Sequence, residues 1–323
     1  MPEPDLSVGI DVGATKIMMG VVDDSGHVLR SVGVDPWLYP ALEDNIENML
    51  VSLEELISAY DRSRLNDIGV GLPGTVDEER GVVVYTPNLR WNDLPLAGIL
   101  RDRVGLDVHL IQDTAAAAWG EYLFGAGVGL NNVVCVTIGS GVACGVIIEG
   151  RLYGGARHTA GEIGHIRVAD ESLVCGCGRR GCLEAGGSGL GLVKVFQRDV
   201  GRGARTQLPT SGIDARMIFD GAREGDETCR AAIDEMVSYL ALGLSAVATV
   251  LTPDVLIISG GLSREQDLLV TPLTERIYEV SYRTVIENVR ITPAVLGSDA
   301  PLVGAAALHR APGYGGRAMT SRT

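Results

Sequence analysis

His165, Cys175, Cys177 and Cys182 follow one another with nine, one and four intervening residues, in a stretch rich in Gly and Arg. One imidazole and three thiols in so short a span form a tetrahedral Cys3His donor set, which suits a closed, structural Zn²⁺ better than a catalytic one with an open position. The competing readings are a redox pair or four unlinked side chains. Glu162 stands one turn before His165, and Glu184 lies two residues after Cys182. Ligation at both places would fix two carboxylates. An ionised carboxylate accepts up to about four hydrogen bonds and can take two adjacent hydroxyls at once. Alone, either Glu reads as a solvated surface charge. Beside a metal knot, each reads as part of a polyol clamp.

Asp113 ends the apolar run Val108 to Ile111 and precedes an alanine-rich segment. A carboxylate at a strand end, facing a helix N-terminus, is a common functional position in α/β sheets. Its chemistry would be general base catalysis. A polyol hydroxyl has a very high pKa, and phosphoryl transfer to it needs an acceptor for its proton. The bland alternative is a helix cap. Asp11-Val-Gly-Ala-Thr-Lys16 and Thr137-Ile-Gly-Ser-Gly141 are two Gly-containing turns, each between apolar runs. In such turns, exposed backbone N–H groups can bond phosphate oxygens. Thr15 adds a hydroxyl, Lys16 a positive charge, and Asp11 can order Mg²⁺ through water. Each turn alone also fits a plain hairpin. Two copies can grip one nucleotide from two sides. Ser259-Gly260-Gly261 ends a further apolar run and lets a ligand lie against the backbone.

The elements needed to position these groups can be read from periodicity. Leu6–Ile10, Lys16–Val22 and Val28–Val34 read as strands, with a hairpin turn at Asp23–Gly26. Residues 42–60 carry a helical period. Asp67–Gly71 and Val108–Ile111 read as strands, and Leu96–Arg103 as a helix. Thr114 is expected to cap a helix over Ala115–Tyr122. Asn132–Ile138 and Ala143–Ile148 repeat the strand–turn–strand layout of residues 6–22, a weak internal duplication. Residues 150–189 read as irregular, 228–250 as the longest helix, Asp254–Ser259 as a strand and Pro301–His309 as a final helix. The Gly, Arg, Ser and Thr tail 312–323 is expected to be disordered.

The 323 residues exceed one compact core, and 46% are apolar. A net charge of −14 repels nucleic acid and anionic membranes, so neither is an expected partner. Lysine occurs only at Lys16 and Lys194, every other basic side chain being arginine or histidine. No signal peptide and no run of about 18 apolar residues is visible, so a cytoplasmic location is expected. Cytoplasmic thiols favour metal binding over disulfides. Cys135, Cys144 and Cys229 lie among apolar neighbours and read as core filler.

Taken together, these motifs resemble the ROK family (repressors, open reading frames, sugar kinases) of the actin-like hexokinase superfamily. The likeness runs from residue 6 to about 310. It is strongest over Ala160-Gly-Glu-Ile-Gly-His165 and Cys175 through Glu184, with further matches at Gly71–Asp77 and Thr86–Trp91. The resemblance implies an α/β fold of two actin-like (ribonuclease H-like) lobes with an interlobe cleft. The small lobe would hold residues 1–118 plus 300–323, and the large lobe 119–299 with the zinc motif. It implies ATP-dependent phosphorylation of the 6-hydroxyl of glucose or a related hexose, with Asp113 as base. Gly74, Asn88, Gln112, Glu162, His165 and Glu184 would line the sugar. Asp11, Gly13, Thr15, Lys16, Thr137, Gly139, Ser140, Gly141, Gly260 and Gly261 would line ATP and Mg²⁺. His165, with Cys175, Cys177 and Cys182, would hold the zinc. A homodimer or homotetramer is implied. The family pattern Asn-Asp-Ala-Asn is replaced by Gln112-Asp113-Thr114-Ala115. Gln is one methylene longer than Asn, which points to an amino sugar such as kanosamine or N-acetylglucosamine, or a C7-cyclitol, as the alternative substrate. A sugar-responsive repressor is a third reading. It is disfavoured by the acidic charge and by the early first turn, and a catalytically dead sugar sensor is disfavoured by retention of Asp113.

Overall fold

The computed structural model describes residues 5–86 and 88–312. Those residues form two compact units. One gathers the chain up to Asn131, Gly145–Ala160 and the chain from Val295. The other gathers Asn132–Cys144 and Gly161–Ala294.

In the first unit, β1 (Leu6–Val12), β2 (Ile17–Asp23) and β3 (Val28–Val34) form an antiparallel meander. The crossover through α1 (Leu42–Ile57) leads to β4 (Leu65–Leu72), parallel to β1. A small three-stranded sheet follows, made of β5 (Thr75–Asp77), β6 (Val82–Tyr85) and β7 (Asn92–Leu94). Helix α2 (Leu96–Val104) ends at left-handed Gly105, a common helix stop, and leads to β8 (Asp107–Gln112), parallel to β4. The sheet order is β3-β2-β1-β4-β8. The central strands β1 and β4 are apolar almost throughout, as expected for strands covered on both faces.

Helix α3 (Asp113–Phe124) leaves β8 without a loop. Thr114 is its second residue, not its cap. Its N–H is bonded by the Asp113 carboxylate at 2.7 Å, so the strand end and helix start coincide at 112–113. The buried Glu121 carboxylate on α3 accepts backbone N–H bonds from Ala126, Val295 and Leu296, pinning the return of the chain in this unit. Trp119 donates to the Ala307 carbonyl at 3.0 Å, beyond α10 (Ala300–Ala306).

The second sheet has the order β11-β10-β9-β12-β13, drawn from β9 (Val133–Ile138), β10 (Val142–Ile148), β11 (Arg151–Leu152), β12 (Val255–Ser259) and β13 (Arg290–Pro293). Strand β12 is parallel to both β9 and β13. The strand sequence therefore repeats that of the first sheet, bearing out the duplication. Between Gly161 and the long helix lie α4 (Leu183–Gly187), α5 (Gly189–Gly201) and α6 (Ala215–Arg223). Ser188 and Asp214 cap the latter two helices. Helix α7 (Glu227–Leu251), capped by Asp226, is long and apolar enough to cross a membrane. It buries Ala232, Met236, Leu240 and Leu244, as a core helix does. Helices α8 (Thr271–Val280) and α9 (Arg283–Ile286) lead to β13. Cys135, Cys144 and Cys229 are buried core residues, as expected. Residues 313–323 of the expected disordered tail lie outside the described residues.

Candidate functional site

The C-terminal edge of the first sheet gathers the acidic groups. Parallel pairing places Asp11 on β1 opposite Gly71 on β4, and Gly71 opposite Ile111 on β8. Gln112 and Asp113 are the next residues along. A side chain at Gly71 would come within 3.6 Å of the Asp113 Cα, so the Gly71–Gly74 loop and the head of α3 adjoin. Burial pushes the Asp11 carboxyl up to about 6. Such a site disfavours an uncompensated anion and is suited to a nearby cation. Asp113 takes the α3 N-terminus, where the helix dipole favours negative charge. Asn88 is exposed in the turn Thr86–Trp91, which is closed by Thr86 N–H to the Trp91 carbonyl at 3.0 Å.

The turn after β1 is a tight hairpin, with Gly13 N–H bonded to the Lys16 carbonyl at 3.0 Å. Thr15 is exposed, and the Lys16 side chain folds back over Gly33 of β3. Trp37 donates its indole N–H to the Ala14 carbonyl at 2.8 Å and so braces the turn.

The second sheet ends differently. Thr137 on β9 faces Ser259 on β12, so the loop Gly139–Gly141 and the pair Gly260–Gly261 emerge from adjacent parallel strands. Gly260 has φ 88, and a Cβ there would lie 2.5 Å from the Ile138 carbonyl oxygen. Only glycine suits that position. The Gly189 N–H bonds the Gly139 carbonyl at 2.7 Å.

The sequence-predicted metal set is brought together. The ligand atoms of His165, Cys175, Cys177 and Cys182 all lie within 4.8 Å of one another. Cys177 and Cys182 sulfurs are 3.8 Å apart, as are Cys175 Sγ and His165 Nδ1. A tetrahedron with Zn–S bonds of about 2.3 Å has edges of about 3.8 Å, so the set fits the ion. Burial pushes Cys175 up to about 12 and raises Cys182, while the backbone N–H of Arg179 draws Cys177 down. A coordinated cation would ionise all three thiols.

Both acidic residues border this set. His165 turns Nδ1 to the sulfurs and holds Nε2 3.8 Å from Glu162. Glu184 places one oxygen 3.7 Å from Cys175 Sγ and accepts the Val142 N–H on the other at 3.1 Å. A side chain at Gly141 would meet that second oxygen at 2.6 Å. Glu184 therefore joins the cysteine knot to the Gly139–Gly141 loop. The sequence reading missed this link, because a backbone donor leaves no mark in side-chain spacing.

Comparison with known proteins bears on the same segments. The ROK family profile matches residues 7–311. A glucokinase of Streptomyces coelicolor is 36% identical over 322 residues, covering 95% of this chain and 98% of the relative. A ROK family glucokinase from Streptomyces griseus, crystallised with glucose and AMPPNP, has a TM-score of 0.79 at 34% identity, covering 94% and 98% of the two chains. A xylose repressor of Caldicellulosiruptor bescii is 28% identical over 311 residues, covering 93% of this chain and 77% of the repressor. The mixed α/β architecture is the two-lobe actin-like fold of the ROK glucokinases.

Proposed function

Because the chain belongs to the ROK family, we propose that it transfers the terminal phosphoryl group of ATP to the 6-hydroxyl of glucose or a closely related hexose. By class it is an ATP-dependent sugar kinase. The carrying observation is the alignment of Asp11, Gly71 and Gln112–Asp113 on one edge of three parallel strands. Asp113 accepts the proton of the attacking hydroxyl as the loose transition state forms. Gly74, Asn88 and Gln112 contribute to the sugar site, and the carboxylates of Glu162 and Glu184 accept hydrogen bonds from sugar hydroxyls. His165 contributes Nε2 to the same substrate while Nδ1 serves the metal set. The N–H groups and hydroxyls around Gly13, Thr15, Lys16, Thr137, Gly139, Ser140, Gly141, Gly260 and Gly261 receive the nucleotide.

Asp11 is the residue placed to order Mg²⁺ through water. When bound, Mg²⁺ neutralises charge on the phosphates. His165, Cys175, Cys177 and Cys182 would hold Zn²⁺ as a structural ion that fixes the two glutamates. The assembly is taken as a homodimer or homotetramer, and the location as cytoplasmic.

Gln112 favours a second reading within the same chemistry, an amino sugar or C7-cyclitol as acceptor. The test is ATP-dependent turnover over glucose, mannose, N-acetylglucosamine, aminoglucoses and cyclitols. Glucose winning by a wide margin removes the second reading. Sugar binding with no phosphoryl transfer to any of them would favour a sensor, as among the family's repressors.

A further inference from the structure

The turn between β1 and β2 is held by a side chain from outside it. The chain has three tryptophans. Trp91 and Trp119 are 2% exposed, whereas Trp37 is 50% exposed, in a run with exposed Leu38 and Tyr39. Tryptophan is highly buried on average, so burial is not what fixes this ring. Its indole N–H, a donor only, bonds the Ala14 carbonyl in the middle of the turn at 2.8 Å.

The segment that carries Trp37 is itself anchored. As the chain leaves β3, the Trp37 backbone N–H bonds the Asp35 carboxylate at 2.8 Å. Buried Asn45 of α1 accepts the Tyr39 N–H at 2.9 Å and donates to the Tyr39 and Ala41 carbonyls at 2.8 and 2.9 Å. Residues 35–41 therefore form a strap between β3 and α1, and the indole reaches the turn from a fixed footing.

Inside the turn, the bond from Gly13 N–H to the Lys16 carbonyl closes the ends and leaves the Ala14–Thr15 peptide plane unfixed. That peptide is trans, so its C=O and N–H point to opposite sides. Holding the Ala14 carbonyl toward Trp37 turns the Thr15 N–H away from the strap, at a residue that is exposed. We propose that Trp37 is a positioning residue for the nucleotide: by holding the Ala14 carbonyl, it fixes the Thr15 N–H as a donor to a phosphate oxygen of ATP. The inference rests on the ATP reading of this turn and deepens it. Without the indole N–H the peptide plane can rotate, and the donor is presented for only part of the time. Affinity then falls by the fraction of time the donor is lost.

The experiment uses the full chain and compares wild type with Trp37→Phe, which keeps an aromatic ring and removes the N–H. Calorimetry measures the affinity for AMPPNP with Mg²⁺ and, without nucleotide, for glucose, glucosamine and N-acetylglucosamine. Trp37→Phe should weaken AMPPNP binding by about 3–10-fold, the size of one lost neutral hydrogen bond, and leave each sugar that binds within about twofold of wild type. Amide NMR of wild type gives a second reading that needs no variant. Saturation with AMPPNP and Mg²⁺ should move the Thr15 N–H resonance downfield as it bonds an anionic oxygen. Equal AMPPNP affinity in the two proteins overturns the inference. So does an equal loss of nucleotide and sugar affinity, which marks a merely structural role, and so does a Thr15 amide unmoved by saturating AMPPNP. In each of these cases the ATP reading stands on the measured nucleotide binding. A wild-type protein that binds no AMPPNP overturns both.

Discussion

The two strand edges are built alike and armed differently. In the first sheet, parallel β1, β4 and β8 end in Asp11, Gly71 and Gln112–Asp113. In the second, parallel β9 and β12 pair Thr137 with Ser259 near their ends, and Gly260 follows directly. One edge carries carboxylates that can move a proton and order a cation. The other carries a hydroxyl and bare backbone, which can donate hydrogen bonds to phosphate oxygens but cannot take up the proton of an attacking hydroxyl. The comparison teaches that a duplicated topology fixes where a strand ends, while the residue at the end decides what chemistry that edge can offer.

The largest expected effect falls on the acidic edge. Asp113→Ala should lower kcat by about 10²–10⁴-fold while calorimetric sugar binding survives. A near-wild-type kcat would erase the distinction between the edges. Next comes the metal set. If the set holds zinc as proposed, stripping the ion from a sample whose metal content is verified should weaken sugar binding by about 10–100-fold and lower the thermal midpoint, since the proposed ion would prop Glu162 and Glu184. Because Glu184 also holds Val142 N–H, KM for ATP should rise as well. An unchanged sugar KM would separate the glutamates from the metal.

Asp11 sharpens the comparison through pH. Burial raises its pKa from 3.8 to about 6, so between those values the folded state holds the extra proton. Stability of the metal-free protein should therefore fall as pH rises through about 4–6 and stay lower above it. Asp11→Asn should abolish this slope and stabilise the metal-free protein at pH 7 by up to about 3 kcal/mol, read by urea unfolding. It should also weaken Mg²⁺-dependent turnover. The smallest effect lies at the opposite end of the same sheet. The buried Asp67 carboxylate, 3.4 Å from His309 Nδ1, holds the His309 pKa above its usual 6.5. That contribution is fully present below about 6.5 and is lost as pH rises through the folded-state value. His309→Gln should remove less than about 1 kcal/mol, on the acid side only.

Much of the candidate site was legible because it rests on local patterns. The Cys3His spacing, the two glycine turns and an aspartate closing an apolar run are all short-range signals, and the folded chain brings the four soft ligands together. The duplicated strand order was visible as a repeated strand–turn–strand layout. What escaped leaves no readable pattern along the chain. Strands β5 to β7 and β11 are two to four residues long, too short for alternation to register. The start of α3 was misplaced because Thr114 is the better cap by residue type. In the fold the strand runs straight into the helix, and Asp113 bonds the Thr114 N–H instead. The Glu78–His158 pair joins two loops distant in sequence, and neither residue belongs to a motif. The Glu184–Val142 bond uses a backbone donor, which no residue type announces.

The sharpest test follows the phosphate itself. Phosphorus NMR of full-length wild type with ATP, Mg²⁺ and the acceptor panel should give a new phosphomonoester resonance with at least one sugar or cyclitol. The Asp113→Asn protein, saturated with the same acceptor, should give none over the same time. A phosphomonoester formed by Asp113→Asn at the wild-type rate would contradict the assignment of the strand-end carboxylate as the base.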